Sequence, residues 1–288
     1  MVCKFNIKKG GLTATVTICL TIAMQALAAP ITFNTALPVS DEEFIVRQQI
    51  HYSKASDNLG SISRDVKVWK SITAVGYGVT DKFAVFGVMP IINKDMQIGS
   101  VKREVSGLAD MKLFGRYQIY RKDGPGTTTR IAPFLGVNLP MGKTGKTSDG
   151  STDYFGGLIL TRASTNWNVD AQLKYTANGK YSGFARGNEA SLDASLQYRI
   201  NTHNANVNIS GYLFTVLETS LVYADENKIG SIIDLNTGGT TAFIAPGLQY
   251  ATKRWIGEAA VKIPVVKDLN GTALQPGITI ITSIRVNF

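Results

Sequence analysis

From residue 43 to residue 288 the sequence repeatedly alternates apolar and polar side chains with a period of two. Between Trp167 and Tyr175, the side chains of Trp167, Val169, Ala171, Leu173 and Tyr175 fall on one face, and those of Asn168, Asp170, Gln172 and Lys174 on the other. An extended strand separates such sets because successive side chains point to opposite faces, whereas a helix would mix them. The same pattern runs through Ala190 to Ile200, Asp110 to Arg121 and Ile278 to Phe288; in the second of these, Met111, Leu113, Gly115, Tyr117 and Ile119 oppose Asp110, Lys112, Phe114, Arg116 and Gln118, and within such sets ionised groups fall on one face only. Continued along the chain, it predicts about twelve strands, near residues 43–53, 66–79, 82–92, 107–121, 127–140, 152–162, 167–176, 188–200, 204–217, 240–251, 255–265 and 277–288. In the second and ninth strands, Val68-Trp69 and Gly211-Tyr212-Leu213-Phe214 leave open which face is apolar.

The predicted connections alternate between short turns and longer polar loops, near 54–65, 93–106, 141–151, 177–187, 218–239 and 266–276. That asymmetry fits a transmembrane antiparallel up-and-down β-barrel with tight periplasmic turns and roomier outer loops. Lipid offers no hydrogen-bond partner, so the first and last strands must pair. A soluble β-sandwich also alternates, but it would not expose an apolar face on every strand. Aromatic girdles are expected on the lipid face, from Tyr77, Tyr117, Trp167, Tyr198, Tyr250, Trp255 and Phe288 at the turn side and Tyr52 and Tyr175 at the loop side.

Residues 1–28 read as a signal peptide: Lys4, Lys8 and Lys9 precede an apolar run that ends in Ala26-Leu27-Ala28. Both cysteines, Cys3 and Cys19, fall inside it, leaving no thiol for a disulfide, metal site or nucleophile. Loss of the three lysines lowers the net charge from +9 to +6. The basic residues are scattered rather than clustered, which disfavours nucleic acid as a partner. Residues 29–42 are then a short periplasmic segment, too small for a folded plug domain, and 43–288 the barrel. The expected setting is the outer membrane of a Gram-negative envelope, with lipid around the wall and the barrel assembly machinery as partner, for which Phe288 would be a recognition signal.

Several short motifs stand in a characteristic order: Tyr77-Gly78-Val79-Thr80-Asp81, Val88-Met89-Pro90, Gly107-Leu108-Ala109-Asp110, Leu139-Pro140-Met141-Gly142, Ala245-Pro246-Gly247-Leu248-Gln249-Tyr250 and Ile263-Pro264-Val265. Together the sequence resembles the MetA-pathway of phenol degradation family of outer-membrane proteins over roughly residues 40 to 288. Ala109 replaces an expected glycine. The resemblance implies a channel or transporter for small, often hydrophobic or aromatic solutes, without fixing the solute.

On the inferred inner faces, Arg47, Lys112, Arg116, Arg130, Lys174, Arg199, Lys262 and Arg285 outnumber Asp110, Asp170, Asp193 and Glu258, with His51 on the same face of its strand. A positively biased wall favours anions, with Arg47 and Arg116 the residues expected to matter most. The alternative is that these charges pair and fill the lumen, leaving a structural or surface-interaction barrel whose loops do the work. A barrel of about twelve strands lies between the filled and open extremes. An outer-membrane lipid hydrolase would need a base beside a nucleophile, and neither His51 nor His203 stands in such a setting. No residue pattern calls for a metal or cofactor. The long connection 218–239 is a candidate to fold inward and constrict the passage.

Overall fold

The computed structural model of the protein describes residues 28–200 and 211–288. Of the expected signal segment 1–28 only Ala28 is described; the rest, with Cys3 and Cys19, and the expected turn at Asn201 to His203 lie outside the described residues. Twelve antiparallel walls run in chain order: β1 (Phe44–Leu59), β2 (Ile62–Gly78), β3 (Phe83–Ile98), β4 in three pieces (Val101–Leu108, Met111–Tyr117 and Tyr120–Gly124), β5 (Thr127–Leu139), β6 (Asp153–Ser164), β7 (Trp167–Ala177), β8 (Glu189–Arg199), β9 (Gly211–Ala224), β10 (Gly239–Thr252), β11 (Trp255–Leu269) and β12 (Thr279–Asn287). Each pairs with its neighbour in sequence, and β12 pairs with β1 from Asn287 opposite Ile45 to Thr279 opposite Ser53. The sheet is therefore a closed barrel. Among the described residues no helix is long and apolar enough to cross a membrane; strands do so here.

Closure is completed at the turn side by the last residue. Phe44 N–H donates to Phe288 O at 3.2 Å, and Phe288 N–H donates to Phe44 O at 2.9 Å. The same register sets Arg47 directly opposite Arg285, where like charges would repel. Glu258 on β11 resolves the conflict by accepting from Arg47 at 2.8 Å and from Arg285 at 3.2 Å.

The outer surface is apolar. Leu135, Leu173, Leu192 and Leu217 are exposed, while the alternate positions Asn168, Asp170, Gln197 and Gln249 are buried inside. In water such an exterior would be unstable; it suits the hydrocarbon of the outer membrane. Of the nine residues expected in the girdles, Tyr117, Tyr175, Tyr198, Trp255 and Phe288 are exposed, and Tyr52, Tyr77, Trp167 and Tyr250 are half-buried. Phe44 packs at a tilt against Tyr77 and Tyr250 against Trp255 at the turn side, and Tyr52 against Trp69 at the loop side. Exposed Tyr154 and Tyr223 fill out the loop-side ring that the sequence showed only thinly. Trp69 points outward and Phe214 is buried inward, settling the two ambiguous strands.

Two of the expected loops, 54–65 and 93–106, are not loops. β1 and β2 pair up to Leu59 opposite Ile62, and β3 and β4 up to Ile98 opposite Val101. That leaves only Gly60-Ser61 and Gly99-Ser100 as turns. Both glycines have positive φ, 60° and 57°, as tight hairpins require. The hairpin tip is tied sideways: Arg64 holds Asp57 through two bonds of 2.7 Å and also donates to Thr272 O at 2.8 Å. This guanidinium holds the Asp57 carboxyl below its ordinary pKa. The ninth strand, expected at 204–217, is described from Gly211 and continues to Ala224, so residues 218–224 are wall and not loop, while 204–210 lie outside the described residues. The remaining connection forms a hairpin, Asn227–Ile229 with Ile232–Asp234, that pairs with Phe184–Ala185 from the neighbouring connection. Ile232 and Leu235 there are exposed.

Leu173 and Leu192 face each other across β7 and β8 on the lipid side. Leu173→Arg is expected to cost about 2–4 kcal/mol if it lies near the bilayer midplane, measured as a lower urea midpoint for unfolding from lipid bilayers. An unchanged midpoint would place this row outside the hydrocarbon.

Candidate functional site

The residues expected to lie in the periplasm, just before β1, instead pass through the lumen. Residues 28–40 form a strap whose apolar side chains seat in recesses of the inner wall. Ala28 packs with Phe214, Ala251 and Ile256; Ile31 with Val216, Ala260 and Ile281; Ala36 with Ala132, Phe134, Phe155 and Ile159. Ile31 and Ala36 are almost wholly buried. No folded domain is needed to plug the barrel. A single extended segment suffices where the wall itself supplies hydrogen-bond partners.

Extended backbone inside a barrel has amides and carbonyls without a strand to pair with, so side chains must satisfy them. Gln249 does this reciprocally for Ala29, accepting its N–H at 3.2 Å and donating to its carbonyl at 3.0 Å. The Glu218 carboxylate takes two successive amides, Ile31 N–H at 2.6 Å and Thr32 N–H at 3.0 Å. Arg47 and Gln49 donate to Ile31 O at 2.7 Å and 3.1 Å. Asn168 donates to Ala28 O at 3.0 Å, and Thr161 accepts Ala36 N–H at 2.8 Å. Arg116 donates to Thr35 O and, at 2.6 Å, to Leu37 O. These partners come from β1, β4, β6, β7, β9 and β10, so the strap ties opposite sides of the barrel together.

Above and beside the strap remains a cavity of about 1240 Å³. Of the inner-face residues expected from the sequence, Arg47, His51, Lys112, Arg116, Arg130, Lys174, Asp193, Lys262 and Arg285 line it. Register places His51 opposite Lys70, a further lining lysine. Lys174 pairs with Glu189 at 3.4 Å, and Asp193 accepts from Ser220 at 2.6 Å. Four residues lie elsewhere. Glu258 is buried between Arg47 and Arg285, and Asp170 is buried against Thr161 and Gln197. Arg199 bonds Asn166 at the turn side, and Asp110 accepts Gly142 N–H at 3.3 Å near the loop side.

Phenylalanine rings share these inner faces with the charges, at positions where a period-two pattern calls for polar residues. Phe86, Phe114, Phe134 and Phe155 occupy four adjacent walls, β3 to β6, and all line the cavity. Phe86 and Phe114 stack at 4.7 Å; Phe155 meets Phe114 edge-on at 6.0 Å. Glycines lie opposite them in register, Gly76 beside Phe86, Gly157 beside Phe134 and Gly136 beside both Phe114 and Phe155. A Cβ at Gly136 would come within 2.6 Å of the Phe155 ring and 2.4 Å of Phe114 Cβ. The rings therefore lie where the glycines leave space, and the wall stays flat instead of filling the lumen.

A family model described as "Putative MetA-pathway of phenol degradation" matches residues 57–258. The chain belongs to this family. No curated protein matches the sequence significantly. Among solved structures, an outer-membrane channel from Pseudomonas putida F1 is similar with a TM-score of 0.64 at 12% identity, over 91% of this chain and 100% of that one. The β domain of the Bordetella autotransporter BrkA is similar with a TM-score of 0.51 at 12% identity, over 86% of this chain and 100% of that one. At such identity these likenesses concern the barrel fold.

The family's motifs acquire physical roles in the barrel. Gln249 in Ala245-Pro246-Gly247-Leu248-Gln249-Tyr250 is the strap's reciprocal partner, and a Cβ at Gly247 would sit 3.0 Å from Ile31 Cδ1. A Cβ at Gly78 would lie only 1.9 Å from Ser40 O, where the strap turns into β1. At the loop side, Pro90 O accepts Ala109 N–H at 2.9 Å, and Asp110 reaches Gly142, so three further motifs meet. Ile263-Pro264-Val265 lies beyond the matched stretch, and so does the strap.

Removing the Glu218 carboxylate strips three charge-assisted hydrogen bonds from the strap, from Ile31 N–H, Thr32 N–H and the Thr32 hydroxyl, each worth about 1.5–3 kcal/mol. Glu218→Ala is expected to speed amide hydrogen exchange at Ile31 and Thr32 by about tenfold or more, relative to the amides of β7. Exchange unchanged at both would show that the strap is held by other contacts.

Proposed function

We propose that this protein is a passive outer-membrane channel for small solutes, with the strap as the constriction that sets its bore. The observation that carries this reading is a cavity of about 1240 Å³, lined by charges and rings, with a single chain segment across it. A barrel evolved only as a scaffold would gain from filling that volume with side chains. Here glycines opposite Phe114, Phe134 and Phe155 keep the wall flat. The family's link to phenol degradation and the similarity to the Pseudomonas outer-membrane channel support the same reading.

Constriction by residues 28–40 replaces the expected inward fold of the connection 218–239. Arg47 and Arg116, expected to attract anions, spend donors on strap carbonyls, so their replacement would loosen the strap as well as change the charge. An enzymatic role is not part of the proposal: His51 has Lys70 and Ile281 as cross-strand neighbours, and no nucleophile stands beside it in that register. The barrel assembly machinery is the partner proposed for insertion, and no role for nucleic acid is proposed.

Planar bilayers test the channel directly. Wild-type protein is expected to conduct in small steps, and Glu218→Ala in larger or noisier ones. A second variant locks the strap. Thr35 and Thr161 hydroxyls lie 3.0 Å apart, and no cysteine follows Cys19. A Thr35→Cys/Thr161→Cys pair is therefore expected to cut conductance when oxidised and restore it on reduction. No conductance from folded protein, with the strap locked or free, would refute the channel.

A further inference from the structure

We propose that the lumen holds a binding site for small aromatic carboxylates, built from the Phe86–Phe114 wall and the ammonium group of Lys112. The inference deepens the channel reading, on which its place in a solute path rests, by naming the class of solute. Three observations meet at one sector of the barrel. The first is apolar and planar. Phe86 and Phe114 stack with an interplanar angle of 12°, half-buried, with Phe134 and Phe155 packed edge-on or tilted behind them. Because the two rings turn one face to each other and Arg116 lies over Phe86, an aromatic guest extends the stack at Phe114 by offset stacking, displacing water that gains little from the rings.

The second observation is a cation without a salt-bridge partner beside that face. Lys112 is two residues from Phe114 on the same side of β4, and its Nζ lies 6.0 Å from the Phe155 ring centroid. Among the described residues it makes no ion pair and no hydrogen bond, although Lys174 nearby is paired with Glu189. Lys70 and Lys262, which line the same cavity, also lack a carboxylate partner. Arg116 sits over Phe86 at 4.9 Å, but its Nη groups are taken by the carbonyls of Thr35 and Leu37. Lys112 is thus the cation of this sector left to bind a guest.

The third is the field of the whole cavity. Ten lysines and arginines line it against Glu43, Glu189 and Asp193. A neutral phenol would use the rings and leave Lys112 unpaired; acetate would use Lys112 and leave the rings wet. A ring bearing a carboxylate uses both, and a desolvated ammonium–carboxylate contact gives it the advantage.

Equilibrium binding to the full-length protein, folded in detergent at pH 7, compares benzoate with phenol and acetate. Benzoate is expected to bind about tenfold more tightly than either, the equivalent of one charge-assisted contact. Lys112→Gln should reduce benzoate to the level of phenol without changing phenol, and Lys112→Arg should retain the preference, a control for folding. Phe114→Leu should weaken benzoate and phenol together. Equal binding of phenol and benzoate, or of acetate and benzoate, would overturn the proposal, as would a Lys112→Gln variant with benzoate binding intact. Benzoate binding without conductance would remove the channel reading and leave the site standing; conductance without a benzoate preference would do the reverse.

Discussion

Lipid cannot hydrogen-bond to a peptide group, and from that constraint the rest of this structure follows. Each N–H and C=O in the membrane needs a partner strand, so the sheet has to close, and β12 returns to β1. Closure fixes a register, and the register brings Arg47 opposite Arg285. Glu258 on the next wall is then the counter-charge that makes the seam tolerable. A substitution at Glu258 would thus be felt at the seam and not only at its own site.

Closure also creates an interior that the chain must manage. With about twelve walls the lumen is too wide to be filled by ordinary side chains and too narrow to be an open pore like the largest barrels. The strap occupies part of that space, and it can do so because polar side chains from six walls meet its backbone groups. Glu218, Gln249 and Arg116 thus act as substitutes for a neighbouring strand. Their inward direction, a cost in a soluble core, is here matched residue by residue.

The remaining space has two kinds of lining, and their separation matters for what can pass. Glycines across from the phenylalanines keep the aromatic sector flat, while lysines without carboxylate partners keep the surrounding wall positive. A lumen built this way discriminates by combining ring stacking with charge, neither of which would suffice alone.

The sequence by itself determined the closed all-β barrel, its number of walls and the alternation of apolar and polar faces along them. These follow from a period-two pattern that is local and needs no knowledge of neighbours. Even the tight turns were present as Gly60-Ser61 and Gly99-Ser100, the two-residue hairpin signal hidden in stretches that looked merely polar. What only the tertiary structure decided was who meets whom. Glu218 looks like the start of a loop until the register of β9 and β10 turns it inward. Residues 28–40 have no pattern of their own, because their hydrogen bonds go to side chains far along the chain, from Arg47 and Gln49 to Glu218 and Gln249. The phenylalanine wall was written on the polar face of its strands, where apolar residues count as exceptions; only closure of the barrel gathers those exceptions onto one side of a shared cavity.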